Sequence, residues 1–285
     1  MAQPAFKPVR ARAGGRIECA ILQTIAYFSL FDYTPSLFEL HRYLHGESAT
    51  IEQVRAGCHR LRMPSFAPVP GRPSQPSGRR LRFYLSLLKH LPFVRMIGLT
   101  GSRAVHPDGA GDTDLMIVAA PGRVWLCRLG AVAVARIARR FGDRLCPNYV
   151  ISEDSLTLPA MSIYDAHELA QLVPLYGRAA YQDVWDRNPV VWDLLPNSYP
   201  FACPGDRLLA GAGQLKLALE RILGGRLGDR LEGWERTRKI ARLRALGAVS
   251  PEISLTTQQC KGHFEGHRAR ILSAYDHLLS RLGGG

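Results

Sequence analysis

The chain has 285 residues, 46% of them hydrophobic, and carries a formal net charge of +13 at neutral pH. That length is enough for two or three small domains or one large one. No run reaches the roughly 18 apolar residues of a membrane span, and no apolar core follows the basic N-terminus as a secretory signal requires, so a cytoplasmic protein without a membrane partner is expected.

The six cysteines, Cys19, Cys58, Cys127, Cys146, Cys203 and Cys260, are scattered without a Cys-x-x-Cys pair. This spacing argues against a structural zinc site and for reduced thiols. The positive charge suits an acidic partner such as tRNA, DNA or a nucleoside triphosphate. Arginine far outnumbers lysine and is dispersed, which an ordinary solvated surface also explains.

Residues 1–15 lack periodicity and are expected to form a flexible arm. A buried helix is predicted over 17–30. The turn Phe31-Asp32-Tyr33 leads to Thr34-Pro35-Ser36, a helix-start signal, after which Leu37, Leu40, His41 and Leu44 share one face. A third helix is predicted over Thr50–Arg62, capped by Thr50, with Ile51, Val54, Cys58 and Leu61 at helical spacing. Followed by the Pro/Gly-rich segment Met63–Gly78, these three helices resemble a winged helix-turn-helix over residues 16–78. Its third helix offers Arg55, His59 and Arg60 as nucleic-acid contacts; a packing or dimerisation module is the alternative.

A helix over Arg79–His90 is expected to lead into a strand, Phe93–Thr100. Gly101-Ser102 follows, then a polar loop, then Asp112-Thr113-Asp114 opening the apolar run Leu115–Val118. Residues two apart on a strand project to the same face, so Asp112 and Asp114 present two carboxylates together while Thr113 faces away. Mg²⁺ takes one or two protein carboxylates, with waters and substrate phosphate oxygens completing its shell. The Gly101-Ser102 turn offers backbone N–H groups and a hydroxyl to a triphosphate tail. As mere loop punctuation, either half of this pattern is common; their conjunction between two strand-like runs is not.

Gly101-Ser102-x9-Asp112-Thr113-Asp114-Leu115 resembles the signature of the DNA polymerase β-like nucleotidyltransferase superfamily, in its small, kanamycin-nucleotidyltransferase-like form. The likeness is specific over about twenty residues and agrees in element order over roughly residues 79–160. It implies a small mixed sheet with flanking helices, Mg²⁺ or Mn²⁺ held by Asp112 and Asp114, a nucleoside triphosphate donor, and pyrophosphate as leaving group. Gly101 and Ser102 would steady the phosphates and Arg103 would add charge. The family usually places a third carboxylate on a later strand. Here the strand Cys146–Ser152, reached through a long helix from Pro121-Gly122 to Phe141, holds no acid. Asn148 stands near that position as a ligand or nucleotide contact, and Glu153 and Asp154 follow; Asp154 is the catalytic candidate.

Beyond residue 160 helices are predicted over Tyr164–Leu172, Arg178–Arg187, Val190–Leu195, Asp206–Leu223 and Leu227–Ala245. Tyr176, Tyr181, Trp185 and Trp192 form an aromatic cluster, one member of which is a candidate for stacking on a nucleobase. A last helix is expected from near His263, with His263 and His267 on one face. Lys261 and His263 are read as reaching the site to bind phosphate or orient the acceptor. The whole is an α+β protein with a winged-helix-like unit (16–78), a nucleotidyltransferase core (79–160) and a helical C-terminal region (161–285). It is expected to transfer a nucleoside monophosphate to a hydroxyl of a small molecule, a tRNA or a protein. The alternative is a non-catalytic DNA-binding or regulatory protein on the same fold, for which the missing strand acid is the ground.

Overall fold

The computed structural model describes residues 15–63, 78–105, 112–158, 161–202, 213–245, 254–261 and 267–283. The first helix, α1, spans Arg16–Ser29. Helix α2 (Leu37–Arg42) starts at Ser36, whose hydroxyl accepts the Glu39 N–H while the Glu39 carboxylate accepts the Ser36 N–H. Thr50 and Gln53 start α3 (Ile51–Arg60) in the same reciprocal way, so sequence-local capping fixes both starts. Ser36 is the cap of α2, not the Thr34-Pro35 pair ahead of it. Residues 64–77, where a wing would have to lie, and the arm up to residue 14 are outside the described residues.

Helix α4 (Arg79–His90) leads into β1 (Val94–Thr100), the short α5 (Ser102–Val105), β2 (Thr113–Ala119), α6 (Val124–Arg140) and β3 (Leu145–Ser152). Then follow α7 (Ile163–Ala170), β4 (Val173–Tyr176), α8 (Arg178–Asp186), α9 (Val190–Leu194), α10 (Gln214–Leu223), α11 (Arg226–Ala245), β5 (Ser254–Leu255), β6 (Gln259–Lys261) and α12 (His267–Gly283). One mixed six-stranded sheet runs in the order β4-β1-β2-β3-β6-β5. Among the described residues only β2 and β3 pair in parallel, joined by α6; the other pairs are antiparallel. The C-terminal region is therefore not wholly helical, because β4, β5 and β6 extend the sheet on both sides.

Strand alternation divides the core. Ile97, Leu99, Leu115 and Ile117 face α4 and α6, where Leu88, Trp125 and Ala131 are buried. Met96, Met116, Val118 and Ile151 face the opposite layer, built from α1, α7, α8 and α12. Of the aromatic cluster read from sequence, Tyr181 and Trp185 are fully buried in this second layer, so they pack rather than stack on a ligand. A third, smaller core of Ala20, Ile21, Leu40, Leu44, Val54 and Cys58 unites α1, α2 and α3.

Within the second layer His45 and His167 are buried with their Nε2 atoms 2.9 Å apart. His45 Nδ1 lies 2.7 Å from the Tyr275 hydroxyl, and the Tyr27 ring stacks on His167 at 4.0 Å. Burial pushes His45 down to about 3 and His167 well below the ordinary imidazole value. Both rings are neutral at pH 7, and the N–H of one donates to the bare nitrogen of the other. An unfolded histidine gains its proton near pH 6.5, so this pair contributes stability that is complete above that pH and is lost as pH falls toward 3. Urea midpoints should drop more steeply between pH 6.5 and 4 in the native protein than in a His45→Gln/His167→Gln variant. Parallel slopes would show that the pair carries no such linkage.

Candidate active site

Strand β1 ends at Thr100, directly opposite Asp114 on β2. Gly101 turns the chain there with φ +69°, and a Cβ on it would stand 2.6 Å from Asp114 Oδ2. Glycine is required twice, by the left-handed backbone and by the carboxylate pressed against it. Ser102 follows on the exposed rim. Asp114 shares its strand face with Met116 and Val118 and looks into the layer of α1, α7 and α12. Thr113 is buried on the other face, where its hydroxyl accepts a 2.7 Å hydrogen bond from Arg103 Nη1.

Burial, and then the neighbouring charge of Asp112, push the Asp114 carboxyl up to about 6, against a hydrogen bond from Cys146. Cys146 stands opposite Asp114 on β3. Burial and the two acids raise its thiol to about 11, so the S–H stays protonated. Asp112, just before β2, is exposed and lies 3.3 Å from Arg144 Nη1.

Two residues on, the β2–β3 ladder slips: Leu115 pairs with Pro147 but Met116 pairs with Tyr149. Asn148 is the extra residue of this bulge, and Pro147 is tolerated because the ladder is already broken there. The irregularity places Asn148 on the wall of a 410 Å³ cavity whose floor is Gly101, Ser102 and Asp114. Helix α7 contributes Tyr164, Glu168 and the adjoining Gln171, and α12 contributes His267. The remaining wall is aromatic and comes from the N-terminal unit: Tyr27 and Phe28 of α1, then Phe31 and Tyr33.

Helix α7 brings a further carboxylate, Glu168, to the wall of this cavity. Burial pushes its carboxyl up to about 7; Lys261 opposes the shift, while Asp114 and Asp165 add to it. One turn earlier on the same helix, Asp165 receives Arg268 Nη2 at 2.8 Å and Nε at 3.0 Å, and Lys261 Nζ lies 3.8 Å away. Burial works against ionisation of Asp165, but Arg268, Ser162 and Lys261 outweigh it and hold the carboxyl below its usual range. The two carboxylates are thus held in opposite states by neighbours within one turn.

Gly101, Ser102, Asp114 and Asn148 are brought together as the sequence suggests, with Asp112 beside them. Lys261 is on β6 next to Asp165 and over the Tyr149 ring at 5.5 Å, at the edge of the site. His263 lies outside the described residues, and α12 is described only from His267. Asp154 is misplaced as a catalytic acid: Asp114 pairs with Cys146 at the start of β3, whereas Ser152 pairs with Ala119 at its end. Five residues of β2 at about 3.3 Å each separate Asp114 from that end by roughly 16 Å, and Asp154 follows beyond Ser152. Glu153 is at that same end, 3.8 Å from Arg95. Arg103 spends a guanidinium nitrogen on Thr113, on the face opposite Asp114. On α3, Arg55, His59 and Arg60 are all exposed, and Arg60 also donates to Glu18 of α1, bracing the helix pair.

The residues missed from sequence are Glu168, Gln171, Tyr164 and the aromatic wall. A signal was present: Asp165, Glu168 and Gln171 recur every third residue in an otherwise apolar helix, which puts three polar groups on neighbouring parts of one face. No family model, curated protein or solved structure matches this chain.

Gly101→Ala should cost about 1–3 kcal/mol from the positive φ alone, read as a lower urea midpoint, and should displace Asp114. An unchanged midpoint would mean the turn relaxes freely. The raised Glu168 carboxyl contributes stability below the unfolded value near 4.5 that is lost as pH rises through about 7. Glu168→Gln should therefore raise the melting temperature relative to the native protein at pH 8 but not at pH 5. Equal differences at the two pH values would contradict the placement of Glu168.

Proposed function

We propose that the protein is a metal-dependent nucleotidyltransferase that moves a nucleoside monophosphate from a nucleoside triphosphate to an acceptor hydroxyl. The observation that carries this reading is the convergence of Gly101, Ser102, Asp114 and Glu168 on one cavity, with Asp112 beside Asp114. The strand order, in which β1 with its Gly-Ser turn lies antiparallel to the acid-bearing β2 and β3 follows in parallel, supports it further. A non-catalytic reading rests on the lack of an acid in β3; the carboxylate of Glu168 at the same cavity weighs for the catalytic one.

Among the described residues no group of three or more His, Cys, Asp or Glu is arranged to hold a metal. Asp112 and Asp114 nevertheless fit a shared Mg²⁺ or Mn²⁺: both are hard oxygen donors, and the charge of one raises the carboxyl of the other, a repulsion that a divalent cation relieves. The remaining ligands would be water and phosphate oxygens. When bound, the ion would supply charge neutralisation at the triphosphate.

The protein's own residues have separable tasks. The Gly101 turn and Ser102 hold the β and γ phosphates through backbone N–H groups and a hydroxyl. Asn148 offers an amide to the sugar or the α-phosphate. Glu168, poised near neutrality, takes the proton of the acceptor hydroxyl as its oxygen bonds to the α-phosphorus and the bond to the β-phosphate oxygen breaks, releasing pyrophosphate. The aromatic wall gives a ring of the substrate an apolar face to lie on. A 410 Å³ cavity enclosed by three parts of the chain suits a small-molecule acceptor better than a nucleic acid duplex.

The test is transfer of α-³²P label from each ribonucleoside triphosphate, with Mg²⁺ or Mn²⁺, into small-molecule, RNA and protein fractions. Label should enter one fraction and vanish with Asp112→Ala/Asp114→Ala. Glu168→Gln should lower turnover about 10²–10⁴-fold while metal-dependent nucleotide binding persists. Transfer that survives loss of both aspartates, or no transfer and no metal-dependent binding of any nucleotide, would overturn the reading.

A further inference from the structure

Helices α10 and α11 form a hairpin whose polarity is inside out. Its inward face is charged: Lys216, 3% exposed, donates to the carbonyls of Lys89 and Val94 at 3.1 and 2.7 Å. Glu220 accepts from the Phe93 N–H and from Arg95. Glu232 accepts the Trp125 and Leu126 N–H groups at the start of α6, both at 2.8 Å. Glu235, fully buried, pairs with Arg128 and Arg238. Leu223 and Ile240 pack inward beside these groups, but several large apolar side chains point the other way. Leu215 is 72% exposed, Ile222 62%, Trp234 56%, and Leu217 and Leu227 52% each.

At about 100° per residue, Leu215, Ala218 and Ile222 fall on one face of α10. Leu227, Arg230 and Trp234 repeat that i, i+3, i+7 spacing on α11. Arg221, Arg226 and Arg230 are exposed and make no ion pair among the described residues. The acids of the hairpin are turned inward or, like Asp229, tied to Arg123 at 2.8 Å. The outward surface therefore combines aliphatic side chains, one tryptophan and unpaired arginines.

We propose that this face is a docking surface for an anionic lipid bilayer, on which the protein sits peripherally. Charge selects the occupant. A second copy meeting it across a two-fold axis would bring two faces together that both carry exposed arginines and no free acid among the described residues, an arrangement without charge complementarity. A nucleic acid would satisfy the arginines but leave Leu215, Leu217, Ile222 and Leu227 in water, since phosphates and sugars offer them no apolar sink. The interface of an anionic membrane satisfies both, with leucine, isoleucine and tryptophan at the acyl boundary and arginine among the headgroups. No described helix is long and apolar enough to cross a membrane, so the contact is to the surface. The assignment holds whether or not the cavity is catalytic.

The full chain should sediment with vesicles of phosphatidylcholine containing phosphatidylglycerol and not with vesicles of phosphatidylcholine alone. Tryptophan emission should shift to the blue on binding and be quenched by brominated acyl chains. Leu215→Ser/Ile222→Ser should weaken partition at least about tenfold, and Trp234→Phe should abolish the quenching while the vesicles are still bound. Both variants change exposed side chains, and unaltered thermal unfolding will confirm that they fold. The proposal is overturned if the protein stays in the supernatant with anionic vesicles. It is equally overturned if this face mediates a dimer broken by Leu215→Ser, or retains a tRNA in preference to the vesicles.

Discussion

Asp165 is the interaction on which the site depends. It caps α7 through Ser162, receives two guanidinium nitrogens from Arg268 of α12, and attracts Lys261 of β6. Two segments far along the chain from α7, β6 and the α12 that holds Arg268, 103 positions away, are pinned to this one carboxylate. Because Glu168 follows three residues later on the same helix, whatever orients Asp165 also orients Glu168. A buried carboxylate with this many partners adds little net stability compared with a well-packed apolar group. What it adds is definition, since only one rotation of α7 satisfies Ser162, Arg268 and Lys261 together.

The neighbouring acids show the opposite situation. Asp114 and Glu168 sit where burial and other carboxylates oppose their ionisation, and both are raised toward neutrality. In a chain with a net charge of +13, Arg268 pairs with Asp165, Arg103 donates to Thr113, and Arg144 lies beside Asp112 at the rim, while Lys261 opposes the shift of Glu168 without cancelling it. Direct pairing with arginine would lower both carboxyls and consume their capacity to take a proton or a cation. Perturbed acids gathered in a cleft are functional-site candidates with a physical rationale, and here the rationale is burial together with neighbouring carboxylates.

The parts of this arrangement that were legible in the sequence are the local ones. Ser36, Thr50 and the Arg79–His90 helix announce themselves through capping and periodicity, and Gly101-Ser102 with Asp112 and Asp114 through spacing within a dozen residues. The third acid was sought on β3 because a strand neighbour is the simplest way to bring a carboxylate to Asp114. The further carboxylate at this cavity, Glu168, stands on a helix instead, and nothing local says that α7 packs over that end of the sheet. Strands β5 and β6 were missed for a related reason. At two and three residues they carry no period, and only pairing with β3 makes them strands. The hairpin of α10 and α11 misleads in another way, because its buried side is the charged one.

The division at residue 78 also has a physical meaning different from the one its composition suggests. Helix α1 belongs to two cores: Ala20 and Ile21 pack against α2 and α3, while Tyr27 and Phe28, two turns on, pack against α7, the sheet and α12. The Glu18 and Arg60 pair ties α3 to the first half of that helix, and Tyr27 stacks on the buried His167 in the second. A unit that swung as an independent domain would have to strip Tyr27, Phe28 and Tyr43 from the second core and leave His45 and His167 without their enclosure. Burial of aromatic side chains of this size is worth several kcal/mol in sum, enough to make the trihelical unit a fixed wall of the cavity rather than a tethered reader beside it. The exposed face of α3 and the aromatic wall of the cavity are thus joined through one helix, α1.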